Sequence, residues 1–305
     1  LFKTCWSDVF LKYDALRVPW KMILGNHDYG KNPLAQVEYH YSAAHPEKLW
    51  HMPSKGYSFQ ALITDEHSSP GQGNDPWGSD FFGVDTNGVQ LHVRELFPET
   101  EHELTDHMEK LSQQLQESHA RWKVAFGHHP LYTQGRGHAT VGRCLRDREY
   151  SFSRNSSNIL GGKVTRSNSG DRCTARGYGM EDVLLGGGAQ AYFCGHEHVF
   201  QYHCAPKNSS NSGSSGSSGS GSACVHHVGA GATGSGSGDD RGETNLYGGR
   251  NLEVSLDWVG AGSDVGFVAV EVTRDEMVVA FVNTHCEVLK EVRIPHPSLA
   301  GGGTR

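Results

Sequence analysis

Two histidines one residue apart, directly after an apolar run that stops at a glycine, constrain this chain more than any other stretch. Ala191-Tyr192-Phe193-Cys194 has the length and composition of a buried strand, and Gly195-His196-Glu197-His198 follows it. A glycine at a strand end lets the backbone turn sharply, so both imidazoles can face one crevice. There they make poor core residues and good metal ligands. The pattern recurs. Lys21-Met22-Ile23-Leu24 reads as a short buried strand ending at Gly25-Asn26-His27-Asp28, and Trp122 to Phe126 as a strand ending at Gly127-His128-His129-Pro130. Open α/β sheets build their sites beyond the carboxyl ends of strands. Asn26, His128, His196 and His198 are therefore expected to converge.

Around these turns the chain alternates helical and strand-like patterns. Phe2, Trp6, Phe10 and Tyr13 fall at helical spacing, which predicts an amphipathic helix over residues 1–17. Since Leu1 already lies inside that pattern, the chain reads as a fragment lacking its true N-terminus, and nothing can be said of a signal peptide. A helix is expected around 34–44, strands over 57–63 and 80–86, and a long helix over 100–118 with leucines at 104, 111 and 115. Residues 140–177 are polar and read as a surface insertion, followed by a short helix over 178–185. Residues 205–223 are almost pure Ser/Gly and read as a disordered loop. Three β-rich segments, 264–273, 276–283 and 287–294, suit a meander, and the chain ends in a Gly-rich flexible tail from 298 to 305. One catalytic domain over 1–297 accommodates all of this.

The net charge of −7, with no basic run, argues against nucleic acid or an anionic membrane as partner. No apolar stretch approaches the roughly 20 residues needed to span a bilayer. Cys204 and Cys224 flank the Ser/Gly tract, while Cys144 and Cys173 bracket the other insertion. Each pair can close a loop as a disulfide, and Asn155-Ser156-Ser157 and Asn208-Ser209-Ser210 are glycosylation sequons in the same loops. Together they predict an oxidising compartment. Cys194 reads as a buried thiol, and Cys5 and Cys286 have no obvious partner.

Imidazole nitrogens and a carboxamide oxygen suit borderline divalent metals such as Zn, Mn or Fe(II). Three histidines and an asparagine add no negative charge, so the cation's charge stays available to a phosphate. A two-metal centre also needs a bridging carboxylate. Gly25-Asn26-His27-Asp28, Gly127-His128-His129-Pro130 and Gly195-His196-Glu197-His198, in this order, resemble the last three metal motifs of calcineurin-like metallophosphoesterases. Their surroundings resemble the purple (tartrate-resistant) acid phosphatases: Val18-Pro19-Trp20, Ala35-Gln36, Leu131-Tyr132, Gln201-Tyr202 and Val228-Gly229-Ala230-Gly231. The likeness covers most of residues 1 to 295, outside the two insertions.

That resemblance implies a four-layer α+β or α/β fold, a two-sheet β sandwich flanked by helices on both faces. It implies hydrolysis of small-molecule or protein phosphomonoesters at acidic pH by a binuclear centre, Fe(III) plus a divalent Fe, Zn or Mn, in a monomer that is secreted or lysosomal/vacuolar. Asn26, His128 and His196 would hold the divalent ion and His198 the second. His27 would contact phosphate and assist the leaving group, and His138, in Gln134-Gly135-Arg136-Gly137-His138, would be a further substrate histidine. His129 would support the ligands from behind or lie at the rim of the site, and Asp28 would orient a neighbour. Two more ligand turns of the family, Asp-x-Gly and Gly-Asp-x-x-Tyr, would lie upstream of Leu1, so residues 1–305 alone are expected to be nearly inactive. The alternatives are a phosphodiesterase or nucleotidase of the same superfamily, or a non-catalytic metal-binding relative. His226-His227 on a strand would point to opposite faces and cannot chelate together.

Overall fold

Strands with apolar side chains on both faces collect in one seven-stranded mixed sheet. The computed structural model describes residues 2–43, 47–63, 77–133, 139–148, 177–206, 224–233, 256–261 and 264–299. The sheet comprises β3 (Tyr57–Ile63), β4 (Trp77–Val84), β5 (Trp122–Gly127), β6 (Ala191–Cys194), β7 (Phe200–Pro206), β8 (Cys224–Ala230) and β9 (Trp258–Val259), in the order β3-β4-β5-β6-β8-β7-β9. Strands β4, β5, β6 and β8 run parallel, so their carboxyl ends share one edge. Strands β3, β7 and β9 are antiparallel to their neighbours.

One face of this sheet is covered by α4 (Thr100–Glu117), α5 (Ala139–Arg146) and α6 (Met180–Gly186). Leu104, Met108, Leu111 and Leu115 form one stripe of α4 and are all buried. Glu101 and Glu103 in its first turn suit the positive end of the helix dipole. The other face packs on a three-stranded meander, β10 (Gly266–Val272), β11 (Glu276–Asn283) and β12 (Val288–Pro295). Trp122, Phe200 and Val228 there meet Met277, Val279, Phe281 and Ile294. The result is a mixed α/β fold with two stacked sheets, as expected. Among the described residues no helix is long and apolar enough to cross a membrane.

Three expectations need correction. Residues 1–17 do not form one helix: a π-helical turn over Lys3–Ser7 passes into α1 (Asp8–Phe10) and then a 3-10 turn over Asp14–Leu16. Phe2, Trp6 and Phe10 make separate aromatic contacts with Tyr39, Trp50 and Trp20, while Tyr13 stays exposed. Those ring contacts, specific in geometry, override the helical period. The strand expected over 21–24 is also shorter: β1 (Trp20–Lys21) pairs in parallel with β2 (Trp50–His51) in a separate two-stranded sheet. Beyond it, side chains replace the ladder. Tyr57 Oη donates to the Met22 carbonyl and Asn87 Nδ2 to that of Leu24. Finally, α5 occupies the start of the supposed polar insertion, because Val141, Cys144 and Leu145 recur at helical spacing and are buried against the core.

Other elements follow the sequence closely. Helix α2 spans Ala35–Tyr41, and α3 (Leu91–Leu96) precedes α4. Cys204 and Cys224 form the expected disulfide, with Cα atoms 5.6 Å apart. Cys144 is disulfide-bonded, while Cys173, its expected partner, lies outside the described residues. Cys194 is a buried free thiol, and Cys5 and Cys286 are free and exposed. The sequons, the Ser/Gly tract from 207 to 223 and the tail from 300 lie outside the described residues.

Candidate metal centre

Three turns at one edge of the fold bring their polar side chains into contact. Asn26 opens a 3-10 turn, Asn26–Gly30, beyond Leu24. His128 and His129 follow β5, and His196 follows β6. His128 Nε2 lies 2.9 Å from Asn26 Oδ1 and 3.1 Å from His196 Nδ1. One ring atom of each of His128, His129 and His196 falls within 4.8 Å of the others.

Close backbone approach explains the glycines. A Cβ on Gly25 would come within 3.0 Å of the His128 ring, and one on Gly127 within 2.7 Å of the Tyr192 hydroxyl. The Gly195 amide donates to the His128 carbonyl at 3.0 Å, tying the second turn to the third. His196 has φ of +66°, a left-handed conformation uncommon for a residue other than glycine. Strain of this kind, about 1 kcal/mol or more, persists where the surroundings over-determine it and concentrates at functional sites.

A fourth strand end supports the first two of these turns. Strand β4 runs into Asp85-Thr86-Asn87, all buried. Tyr29 Oη donates to Asp85 Oδ2, and Asn87 donates to Asp85 Oδ1 from its backbone amide at 3.0 Å and from Nδ2 at 2.7 Å. Burial, then the Asp85 charge, pushes the Tyr29 hydroxyl pKa up, so it stays a protonated donor. Thr86 Oγ1 sits 2.8 Å from His129 Nδ1 and accepts from the His129 amide at 3.1 Å. With Nδ1 engaged, His129 presents Nε2 as its other donor atom. Asp28 turns back on its own loop: Oδ2 accepts from the Gly25 amide at 2.8 Å and Oδ1 from Gln36 Nε2 at 2.6 Å. Burial raises the Asp28 pKa against those two bonds, which lower it.

Of the residues singled out by sequence, Asn26, His128 and His196 meet. His198 lies two residues further along the same turn, half-buried, and His27 is exposed beside Asn26. His138 lies outside the described residues. His129, expected either behind the ligands or at the rim, is fully buried, its ring centroid 4.5 Å from that of His196. Sequence reasoning also passed over Asp85, Thr86 and Asn87, because that strand end lacks the glycine–histidine mark of the other three. Its only signal was a run of hydrogen-bonding residues after an apolar strand.

The donor set fits a divalent cation. Ligands about 2.1 Å from one ion stand roughly 3 to 3.4 Å apart across an edge of its coordination polyhedron, close to the two separations observed here. A single Nε2 has one in-plane site and cannot serve two neighbours as hydrogen-bond partner, whereas convergent lone pairs on a cation satisfy all three.

A parallel-stranded α/β sandwich with imidazoles on the turns beyond its strand ends defines a class, the metal-binding hydrolase scaffold of the phosphoesterases. The chain belongs to the calcineurin-like phosphoesterase family, whose model matches residues 3–200. No curated protein sequence matches it significantly. Among solved structures it is similar to GAP50, the anchor in the inner membrane complex of Plasmodium, at 17% identity and a TM-score of 0.57, over 97% of this chain and 72% of that one. It also aligns with a purple acid phosphatase, PPD1, from yellow lupin (Lupinus luteus) seeds, at 13% identity over 74% of this chain and 34% of the other, TM-score 0.41. A third match is PhoD, at 11% identity over 71% and 38%, TM-score 0.39. At these identities the GAP50 likeness speaks for the fold alone.

Proposed function

We propose that this chain carries the metal-dependent phosphomonoesterase site of a protein of the purple acid phosphatase kind. The contact of Asn26, His128 and His196, contributed by three separate turns, carries the reading. These three would hold a divalent Fe, Zn or Mn, and His198 would face a second ion, ferric in that family. When bound, such ions supply positive charge to the phosphate oxygens and lower the pKa of a water.

The chain's own residues divide the remaining work. His27, exposed next to Asn26, would bind the phosphate and give a proton to the departing alkoxide, as a general acid must. Asp28, held by Gly25 and Gln36, fixes the turn on which Asn26 and His27 ride. His138 would add a second contact to substrate. The Cys204–Cys224 disulfide supports a secreted or lysosomal/vacuolar setting.

Metal analysis of the protein as its natural gene encodes it, paired with hydrolysis of p-nitrophenyl phosphate and its bis-ester, tests the proposal. Bound metal that is lost in His128→Ala, with preference for the monoester, is the expected result. Preference for the bis-ester would move the reading to a phosphodiesterase. A second reading, a metal-binding relative without turnover, is favoured by the character of the cluster, whose three ring donors bring no carboxylate. Metal retained without hydrolysis of either ester is its signature.

A further inference from the structure

A second group of donor atoms stands at the other end of β7 and β8. Cys204 Sγ, Cys224 Sγ and one ring nitrogen of His226 all lie within 4.8 Å of one another. The sulfurs are joined as a disulfide, and His226 Nε2 approaches Cys224 Sγ at 3.5 Å. The other ring nitrogen, Nδ1, is engaged by the Tyr202 hydroxyl at 2.7 Å. This is how metal-binding histidines are usually held, with one nitrogen fixed by a neighbour and the other aimed at the ion.

The spacing has a direct reading. A thiolate about 2.3 Å and an imidazole nitrogen about 2.0 Å from one zinc ion lie roughly 3.6 Å apart on a tetrahedral edge. The His226–Cys224 separation of 3.5 Å already matches. Only the two sulfurs must separate, by rotation of their side chains, from Cα positions 5.6 Å apart. The strand pairing of Cys204 with His226 and of Pro206 with Cys224 keeps the three residues side by side whether or not the sulfurs are bonded. Within the ladder, Asp257 Oδ2 also accepts from the Cys204 amide at 2.7 Å, adding a carboxylate to the neighbourhood.

We infer that the Cys204–Cys224 disulfide is the oxidised state of a Cys2His site for a zinc-class divalent cation, opened by a dithiol reductant. In the exchange the reductant's two thiols become its own disulfide, and two electrons and two protons pass to Cys204 and Cys224 as thiols. Binding the cation to both sulfurs and to neutral His226 Nε2 then releases the two thiol protons. The two states are mutually exclusive, and each cross-links the strand ends that flank residues 207–223. This inference is independent of the centre formed by Asn26, His128 and His196, whose donors are nitrogen and oxygen only.

Cobalt(II) titration of the full chain, followed by absorbance, reads the site. Thiolate-to-cobalt charge transfer in the near ultraviolet arises at a sulfur-ligated ion and not at a nitrogen and oxygen centre. The protein reduced and desalted without oxygen should show that band, displaced by zinc, and the oxidised protein should not. Tyr202→Phe should weaken cobalt affinity about ten- to hundredfold while keeping the band. In a parallel measurement on the unmodified reduced chain, zinc should shield Cys204 and Cys224, but not Cys5 and Cys286, from iodoacetamide. Absence of the band in the reduced wild type, its persistence in a Cys204→Ser/Cys224→Ser double variant, or equal alkylation of all four cysteines with zinc present each overturns the inference.

Discussion

Asp85 bears on the metal centre without belonging to it. It accepts from Tyr29 and twice from Asn87, whose carboxamide in turn holds the Leu24 carbonyl just ahead of the ligand turn. Asp85→Ala leaves two buried donors unsatisfied and should cost about 2–4 kcal/mol in urea unfolding. It should also weaken metal uptake, because the Asn26 turn loses its anchor, whereas a purely structural effect would leave the affinity of the folded fraction unchanged. Gly231 sets a second constraint of this size. A Cβ there would lie 1.8 Å from the Glu197 carbonyl oxygen, so Gly231→Ala must push the 195–198 turn outward. A loss of about 1–3 kcal/mol, with reduced metal binding, is expected by calorimetry and metal titration. His196 itself was legible as a ligand-type residue from its strand-and-glycine context. Its left-handed backbone was not, since the turn it lies in is confined by Gly231 against the Glu197 carbonyl and by the Gly195 amide on the His128 carbonyl, contacts made only in the folded chain.

Among the elements, α4 is the most readable: its leucine spacing predicted both its span and its buried face. Leu115, fully buried and packed where Gly187 leaves no room for a side chain, tests that face. Leu115→Ala should destabilise by about 2–5 kcal/mol, with the higher end expected if Gly187 cannot collapse into the space. Strands β5 and β6 were equally plain because parallel central strands are mostly apolar, with Lys123 the exception in β5. Strand β7 was harder. His226 and His227 were placed on a strand from the sequence, whereas β7, with Gln201 and His203 at alternating positions, went unread until the fold brought Gln201 to Thr133 and His227 to Glu181. The N-terminal segment failed for the opposite reason: aromatic residues at helical spacing pack individually, and periodicity cannot foresee which ring meets which.

At the scale of the molecule, the two sheets are joined near His296. Its Nε2 contacts the Arg121 carbonyl at 2.7 Å and its Nδ1 the Ser298 hydroxyl at 2.8 Å, while its ring packs edge-on to Trp122. Burial lowers its pKa below the ordinary 6.5; the Arg121 charge lowers it further, and the Arg121 carbonyl and Asp275 oppose the shift. The unfolded chain therefore takes up the proton first on acidification. The stability this residue contributes is present above pH 6.5 and lost as pH falls through the lowered value. Unfolding measured at pH 7 and pH 5 should show a larger loss in the wild type than in His296→Gln. The Cys204–Cys224 link, spanning 20 residues of sequence, acts at the same scale. Its reduction without metal should lower stability by about 3 kcal/mol on chain-entropy grounds, checked by comparing unfolding midpoints with and without reductant.

Local patterns were enough to identify the strand-ending glycines, the ligand-type side chains after them, the long amphipathic helix, the terminal meander and the disulfide at the Ser/Gly tract. Each is a property of spacing or composition within a few residues. Folding alone decided how those pieces meet. It put His129 inside the cluster with His196, made Asp85, Thr86 and Asn87 the support for two ligand turns, and set His226 against Cys224. These are contacts between strand ends far apart in sequence, fixed by sheet order and register, which no single segment encodes.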